Sequence, residues 1–202
     1  MIRFNQEGDL WIATIDRQEK ANSLTEEMLT QLAEFAESAT SAKVFVITGM
    51  GKVFSAGADL DEARSGLATS PVWERLSGAI AALPCLTIAA LNGTLAGGAF
   101  GMALACDLRI SVPTAKFFYP VMKLGFLPQP SDPKRMAALI GPSRAKLILM
   151  GGQKITADEA SSFGLVDRLV DAENLMPTVR EIAADALAAK PSHIAGIKGL
   201  VG

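Results

Sequence analysis

The 202-residue sequence predicts an α/β fold with a largely parallel sheet, organised as one domain. Three observations carry that expectation. Short strand-like runs alternate with helical patterns through the whole chain. Runs such as "KVFVITG" and "LTIAAL" are apolar on both alternating sets, which suits strands covered on both faces. No linker or low-complexity segment divides the chain, and its length supports a substantial buried core.

"DLWIATID" reads as a first strand. "NSLTEEMLTQLAEFAESA" reads as a helix, with Ser23 and Glu26 at capping-box spacing and Leu24, Met28, Leu32, Phe35 and Ala39 on one face. "KVFVITG" is a short apolar strand ending in a Gly-rich turn. "FSAGADLDEA" is a strand-end loop entering a helix, and "SPVWERLSGAIAAL" is a second helical pattern that stops before Pro84. "LTIAAL" is a buried strand, Asn92-Gly93 turns the chain, and "AGGAFGMALAC" reads as a helix with a glycine-built N-terminus. "DLRISV" and "AKFFYP" are short strands. "DPKRMAALIGPSRAKLILMGG" reads as two helices broken at Gly141-Pro142, "TADEASSFG" as a capped short helix, "LVDRLVD" as a strand and "VREIAADALAA" as a last helix.

Hydrophobic residues make up 50% of the chain but aromatics only 6%, so the core must pack from small and aliphatic side chains. The net charge of −2 and the lack of any Lys/Arg cluster give no electrostatic support for nucleic-acid binding. The two cysteines, Cys85 and Cys106, have no metal-type spacing and each sits in an apolar run, as in a reduced, cytoplasmic protein. The N-terminus is charged and lacks the apolar segment of a signal peptide. From Leu76 to Cys106 there is no charge, and Gly93, Gly97 and Gly101 recur at four-residue spacing, as on a membrane-helix dimer face. Pro84 and the Asn92-Gly93 turn divide that run into pieces too short to span, so no membrane segment is expected.

Familiar side-chain chemistries fail on detail. "GMGKVF" lacks the upstream glycine and the hydroxyl of a phosphate loop, and "GGAFG" is not a dinucleotide fingerprint. The single histidine, His193, has no G-x-S-x-G partner and reads as an exposed residue beside Pro191. Metal ligands are nearly lacking, so no metal is expected. Backbone chemistry is left. A helix starting at Gly97-Gly98 presents unpaired N–H groups and the positive end of its dipole, and "SAGAD" is a second small-residue turn. Two such turns facing each other would form an oxyanion hole. On spacing alone, tight packing explains them equally well.

Four motifs in order, "EKANSLTEEM", "FSAGADL", "NGTLAGGAFGMALACDLRIS" and "GLVDRLV", resemble the enoyl-CoA hydratase/isomerase (crotonase) superfamily, and the match runs from Ile12 to Lys198. The resemblance implies a crotonase-like spiral of β-β-α units over residues 1–202. It implies an acyl-CoA thioester substrate, coenzyme A entering with that substrate and no tightly bound cofactor, and a homo-oligomer, trimer or hexamer. It also implies that the thioester oxygen accepts from the N–H groups of Ala58 and Gly98. Coenzyme A would then run along "EKAN" and "AGAD", against Lys20, Ala21, Ala56, Asp59, Leu60 and Gly97.

The chain departs from that pattern in three places. The two glutamates that hydratase members use fall at Gly101 and, after Pro120, at Val121, so plain hydration is not expected. The later acid of some isomerases falls at Gln129. The loop "GFLPQPSDPKR" holds three prolines where the family has glycines, and its Asp132 is the nearest acid to the acyl pocket. Asp132 is therefore the acid/base candidate, against its reading as N-cap of "PKRMAALIG" with Pro133 at N1. Asp61 and Glu62 fit a solvated helix start, and Tyr119 a core aromatic. Family members also continue beyond this region into helices that roof the acyl pocket, so residues 172–202 read as a shortened C-terminal helical part. The expected function is enolate stabilisation on an acyl-CoA by an enzyme of lyase or isomerase type. The alternative is a non-catalytic CoA-binding or partner subunit of the same fold.

Overall fold

The computed structural model describes residues 1–201. Its strands are β1 (Ile2–Glu7), β2 (Leu10–Ile15), β3 (Val44–Gly49), β4 (Val53–Ser55), β5 (Leu86–Leu91), β6 (Thr94–Ala96), β7 (Leu108–Ser111), β8 (Lys116–Phe118), β9 (Ile155–Thr156) and β10 (Arg168–Leu169). One sheet has the order β1-β2-β3-β5-β7-β10 and a second the order β4-β6-β8-β9. In the first, only the β1–β2 pair is antiparallel. Each central strand of the first sheet is followed at once by a short strand in the second: β3 by β4, β5 by β6, β7 by β8. Helices then return the chain, because parallel neighbours need a crossover. This is the β-β-α spiral that the sequence resemblance implies.

The first sheet is parallel for a reason visible in its residues. Every residue of β3 is buried, and so is every residue of β5 after Leu86, so both faces must be covered. The covering helices are α1 (Glu26–Ser38), α2 (Leu60–Arg64), α3 (Val72–Ala82), α4 (Phe100–Ala105), α5 (Val121–Leu124), α6 (Asp132–Ile140), α7 (Pro142–Leu149), α8 (Ala157–Phe163), α9 (Leu175–Ala188) and α10 (Pro191–Val201). The core-facing stripe of α1 is the expected one: Leu24, Met28, Leu32, Phe35 and Ala39 are all buried. Both cysteines are buried too, and burial pushes their thiols up to about 11 at Cys85 and about 12 at Cys106.

The expected start of α1 is corrected. Thr25, not Ser23, is the N-cap, its side chain accepting from Met28 N at 3.2 Å. Ser23 is taken by Arg17, whose Nη1 approaches both its carbonyl oxygen and its hydroxyl, and the Glu26 amide donates to Glu62 instead. The capping box is real at α8, where Thr156 and Glu159 bond reciprocally.

The charge-free run is not one helix. It holds part of α3, then β5, β6, and a single 3-10 turn (Gly97–Ala99) that opens α4. No helix among the described residues is long and apolar enough to cross a membrane. At the other end of the chain, α10 buries none of its residues and is tied down by Lys198, which donates to Asp107 Oδ2 at 2.9 Å and to the Cys85 carbonyl at 3.0 Å.

Candidate active site

Parallel pairing of β4 with β6 sets the "SAGAD" and "LAGGA" turns side by side. Both turns need glycine, since Gly57 has φ 91° and Gly97 φ 57°. They touch: a Cβ added to Gly57 would lie 2.9 Å from the Ala96 carbonyl oxygen and 3.5 Å from Gly98 N. A side chain at Gly57 would strike the Ala96 carbonyl, whereas Gly97 is required by its left-handed backbone.

The amides in the first turn are nearly all engaged. Ala56 N donates to Ala21 O, Gly57 N to Ser55 Oγ and Asp59 N to Leu24 O, at 3.0, 3.1 and 2.8 Å. Ala58 N has no acceptor among the described residues. Gly98 N lies in the first turn of the 3-10 segment, where no earlier carbonyl of the helix can accept it. Ala58, Gly97 and Gly98 are half-buried, so both unpaired amides lie at the border between interior and solvent.

The "EKAN" segment is stitched to the same turns. Asn22 is fully buried at φ 54°, and its side chain donates to the carbonyls of Met50 and Val53. Its own carbonyl accepts from Ser55 Oγ at 2.8 Å. Lys20, Ala56 and Leu60 are exposed beside these turns, while Ala21 and Asp59 are half-buried. The Asp59 side chain faces inward. It accepts from Arg17 Nη1 at 2.8 Å and caps α2 through the amides of Asp61 and Glu62, and the Arg17 guanidinium holds its carboxyl below the usual range.

A polar cluster lies one helical turn along α4. Gly101 faces α6: a Cβ there would sit 3.0 Å from Asp132 Oδ1 and 3.6 Å from Ser77 Cβ on α3. Asp132 has no exposed surface, and its Oδ2 accepts from Tyr119 OH at 2.9 Å. Its Oδ1 has no partner among the described residues. This corrects the N-cap reading, since Ser131 occupies the cap without a side-chain bond and Asp132 is the first helical residue, turned toward α4. Ser131 is itself held by Glu74 of α3, through Ser131 N at 3.0 Å and Oγ at 2.6 Å.

Burial pushes the Asp132 carboxyl up to about 7, with the Glu74 charge adding to the rise, while the Tyr119 hydrogen bond and the Arg135 charge pull against it. Burial and the adjacent Asp132 raise the Tyr119 phenol as well. Tyr119 is a core aromatic, as expected, stacked on Phe100 with ring centroids 5.5 Å apart.

The remaining candidate positions do not all gather at this cluster. Val121 opens α5 and is buried, and the Gln129 side chain donates to Ala68 O at 3.3 Å. Glu62 and Asp61 lie at the start of α2, and His193 is exposed on α10. Val121 and Pro133 also line an apolar cavity of about 540 Å³ between α5 and α7. Sequence reasoning missed the contribution of α3. Trp73 packs its ring 3.2 Å from where a Gly98 Cβ would be, and its Nε1 donates to Leu67 O at 2.8 Å. No motif announces Trp73, Glu74 or Ser77; only the one-turn spacing of Trp73 and Ser77 hints at a shared face.

A spiral of paired strands that brings two glycine turns together at the head of a buried helix defines a crotonase-fold protein. The comparisons with known proteins agree. The family model described as Enoyl-CoA hydratase/isomerase matches residues 6–201, and the chain belongs to that family. YngF of Bacillus subtilis (strain 168) is 37% identical over 183 residues, 86% of this chain and 70% of its own length. The short-chain-enoyl-CoA hydratase of Clostridium acetobutylicum is 32% identical over 195 residues, covering 90% of this chain and 73% of its own. Among solved structures, an enoyl-CoA hydratase from Bacillus anthracis superposes with a TM-score of 0.91 at 29% identity, covering 99% of this chain and 81% of that one.

Proposed function

We propose that the protein binds an acyl-CoA thioester and stabilises its enolate between the N–H groups of Ala58 and Gly98. The observation that supports this reading is the contact of the two glycine turns, in which neither Ala58 N nor Gly98 N has an acceptor among the described residues. Donors fixed in advance around a developing oxyanion need no reorganisation, and removing one such donor costs about 3–4 kcal/mol of barrier in comparable sites. Lys20, Ala21, Ala56, Asp59, Leu60 and Gly97 form the coenzyme A rim. Lys20 offers its ammonium to the phosphates, and Asp59 offers mainly backbone because Arg17 and the α2 amides occupy its carboxylate.

Plain hydration is not the reaction we assign. It needs groups that position and split water, and neither Gly101 nor Val121 can move a proton. Reactions carried mainly by enolate stabilisation, such as decarboxylation, hydrolysis or C–C cleavage assisted by a substrate carboxylate or another base, fit the two-amide site better. Exposed apolar residues around α5, Met122, Leu124, Phe126 and Leu127, favour a homo-oligomer in which a neighbour covers that surface.

The test is exchange of the α-protons of butyryl-CoA with D2O, with binding measured by calorimetry. The wild-type chain binds butyryl-CoA and exchanges its α-protons. Gly98→Pro, which deletes the donor, lowers exchange by at least ~100-fold. Binding without exchange or turnover across a panel of acyl-CoAs would leave a CoA-binding subunit in place of an enzyme. No binding of short or long acyl-CoAs would remove the ligand class itself.

A further inference from the structure

We infer that Asp132, reaching in from α6, is the acid–base group of this site, its carboxyl filling the space that Gly101 leaves open on α4. The inference rests on the acyl-CoA reading above and gives that reading the proton carrier it lacks.

Four observations converge on the residue. First, Asp132 has no exposed surface, yet Oδ1 has no hydrogen-bond partner among the described residues. Burying a polar oxygen unpaired is costly, and a carboxyl kept only for structure would have both oxygens met or would be replaced by an apolar side chain. Second, that free oxygen lies 3.0 Å from the position of a Gly101 Cβ, a tight contact that any side chain at 101 would relieve only by pushing the Asp132 carboxyl aside. Glycine weakens a helix interior, and here it leaves room for a carboxyl delivered by a different helix. Ser77, the facing residue of α3, is small enough to leave the same room.

Third, Gly101 comes three residues after Gly98 of the 3-10 turn that opens α4, and a Cβ on either glycine would face α3, at Trp73 and at Ser77. The unpaired oxygen of Asp132 therefore lies beside Gly101, three residues beyond Gly98, on the side of α4 that faces α3. Fourth, the carboxyl is oriented. Tyr119 OH holds Oδ2 at 2.9 Å, and Tyr119 is itself fixed by stacking on Phe100. The same hydroxyl also takes a long contact of 3.4 Å from Gln129 N, tying the α6 approach loop to the pair.

The step balances without a further reagent. The α C–H bond breaks and an O–H bond forms at Asp132 Oδ1. The C–H electron pair becomes the enolate double bond, and the carbonyl π pair moves onto the oxygen between Ala58 and Gly98. Returning the proton to the α-carbon gives exchange; delivering it to the γ-carbon of a 3-enoyl thioester gives the 2-enoyl isomer. One carboxyl suffices for both.

The charged and titratable groups facing Asp132 are Tyr119, Glu74 of α3 and Arg135 of its own helix. Proton abstraction needs the ionised carboxylate, so exchange rises with pH through neutrality, where burial has moved this group. Tyr119→Phe removes a hydrogen bond that favours ionisation, and the rising limb then moves to higher pH.

The experiment follows α-proton exchange of butyryl-CoA in D2O for the full chain, with calorimetric binding and thermal melting in parallel. Asp132→Asn keeps butyryl-CoA binding and loses at least ~100-fold in exchange. Gly101→Glu combined with Asp132→Ala, which supplies a carboxyl from α4, recovers part of it. Wild-type exchange in an Asp132→Asn chain that binds butyryl-CoA overturns the inference and leaves the acyl-CoA reading standing. Binding by the wild type without any exchange also overturns it. Failure of the wild type to bind butyryl-CoA overturns the acyl-CoA reading instead. If Asp132→Asn loses its cooperative melt, Tyr119→Phe decides: an upward shift of the pH limb supports the assignment, and an unmoved limb overturns it.

Discussion

Asp132 is buried as an acid whose proton the folded chain holds more tightly than the unfolded chain does, and this gives stability a pH signature. Between about pH 4 and pH 7 the folded carboxyl is protonated while the unfolded one has ionised. Its contribution is therefore fully present at low pH and is lost as pH rises through about 7, a cost of roughly 4 kcal/mol for a displacement of this size. Asp59 works in the opposite sense: Arg17 holds it below the usual range, so its contribution is present near neutrality and is lost on acidification. Urea midpoints from pH 4.5 to 8 in wild type and Asp132→Asn separate the two. We expect the wild type to lose stability relative to the variant as pH rises, and a constant difference would exclude a buried, titrating Asp132. The sequence named Asp132 as the nearest acid, but its neighbour Pro133 pointed to a helix cap. The direction of the carboxyl is set by Tyr119 and by the space at Gly101, neither of which is adjacent in the chain.

At the scale of elements, glycines separate close contact from free space. A Cβ on Gly93, between β5 and β6, would lie 2.0 Å from the Lys52 carbonyl oxygen and 2.5 Å from its carbon, both rigid backbone. Gly78, inside α3, has open space around its would-be Cβ. Gly93→Ala should therefore destabilise by ~3 kcal/mol or more, while Gly78→Ala should stabilise by about 0.5–1 kcal/mol. Thermal or urea unfolding of the two variants checks the pair, and similar effects from both would contradict the packing described. Elements with a strong internal signal were legible: β3 and β5 as apolar runs, α1 by its stripe, and α6 and α7 by the Gly141-Pro142 break. Those without one were not. β1 is exposed except at Ile2, β6 and β9 have three and two residues, and the α1 cap went to Thr25 because Arg17 claims Ser23.

For the whole molecule, the spiral is what brings the two turns of the proposed site together. Ala58 follows β4 and Gly98 follows β6; each comes after a strand of the first sheet and a sidestep into the second, so residues forty apart meet by construction. Asp132 enters from the next circuit, after β8. The parallel sheet was legible in the doubly buried strands and the two turns in their glycines. That the turns touch was not, because it depends on the β4–β6 pairing, a contact between segments too short to declare a partner. The central claim is that the thioester oxygen accepts from both turns. The most direct measurement is the isotope-edited infrared spectrum of butyryl-CoA labelled with carbon-13 at the thioester carbonyl and bound to the protein. Two donors polarise the carbonyl, so its stretch should fall in frequency on binding, and the shift should shrink in a Gly98→Pro chain that still binds. A bound carbonyl stretching at its free-solution frequency would contradict the account.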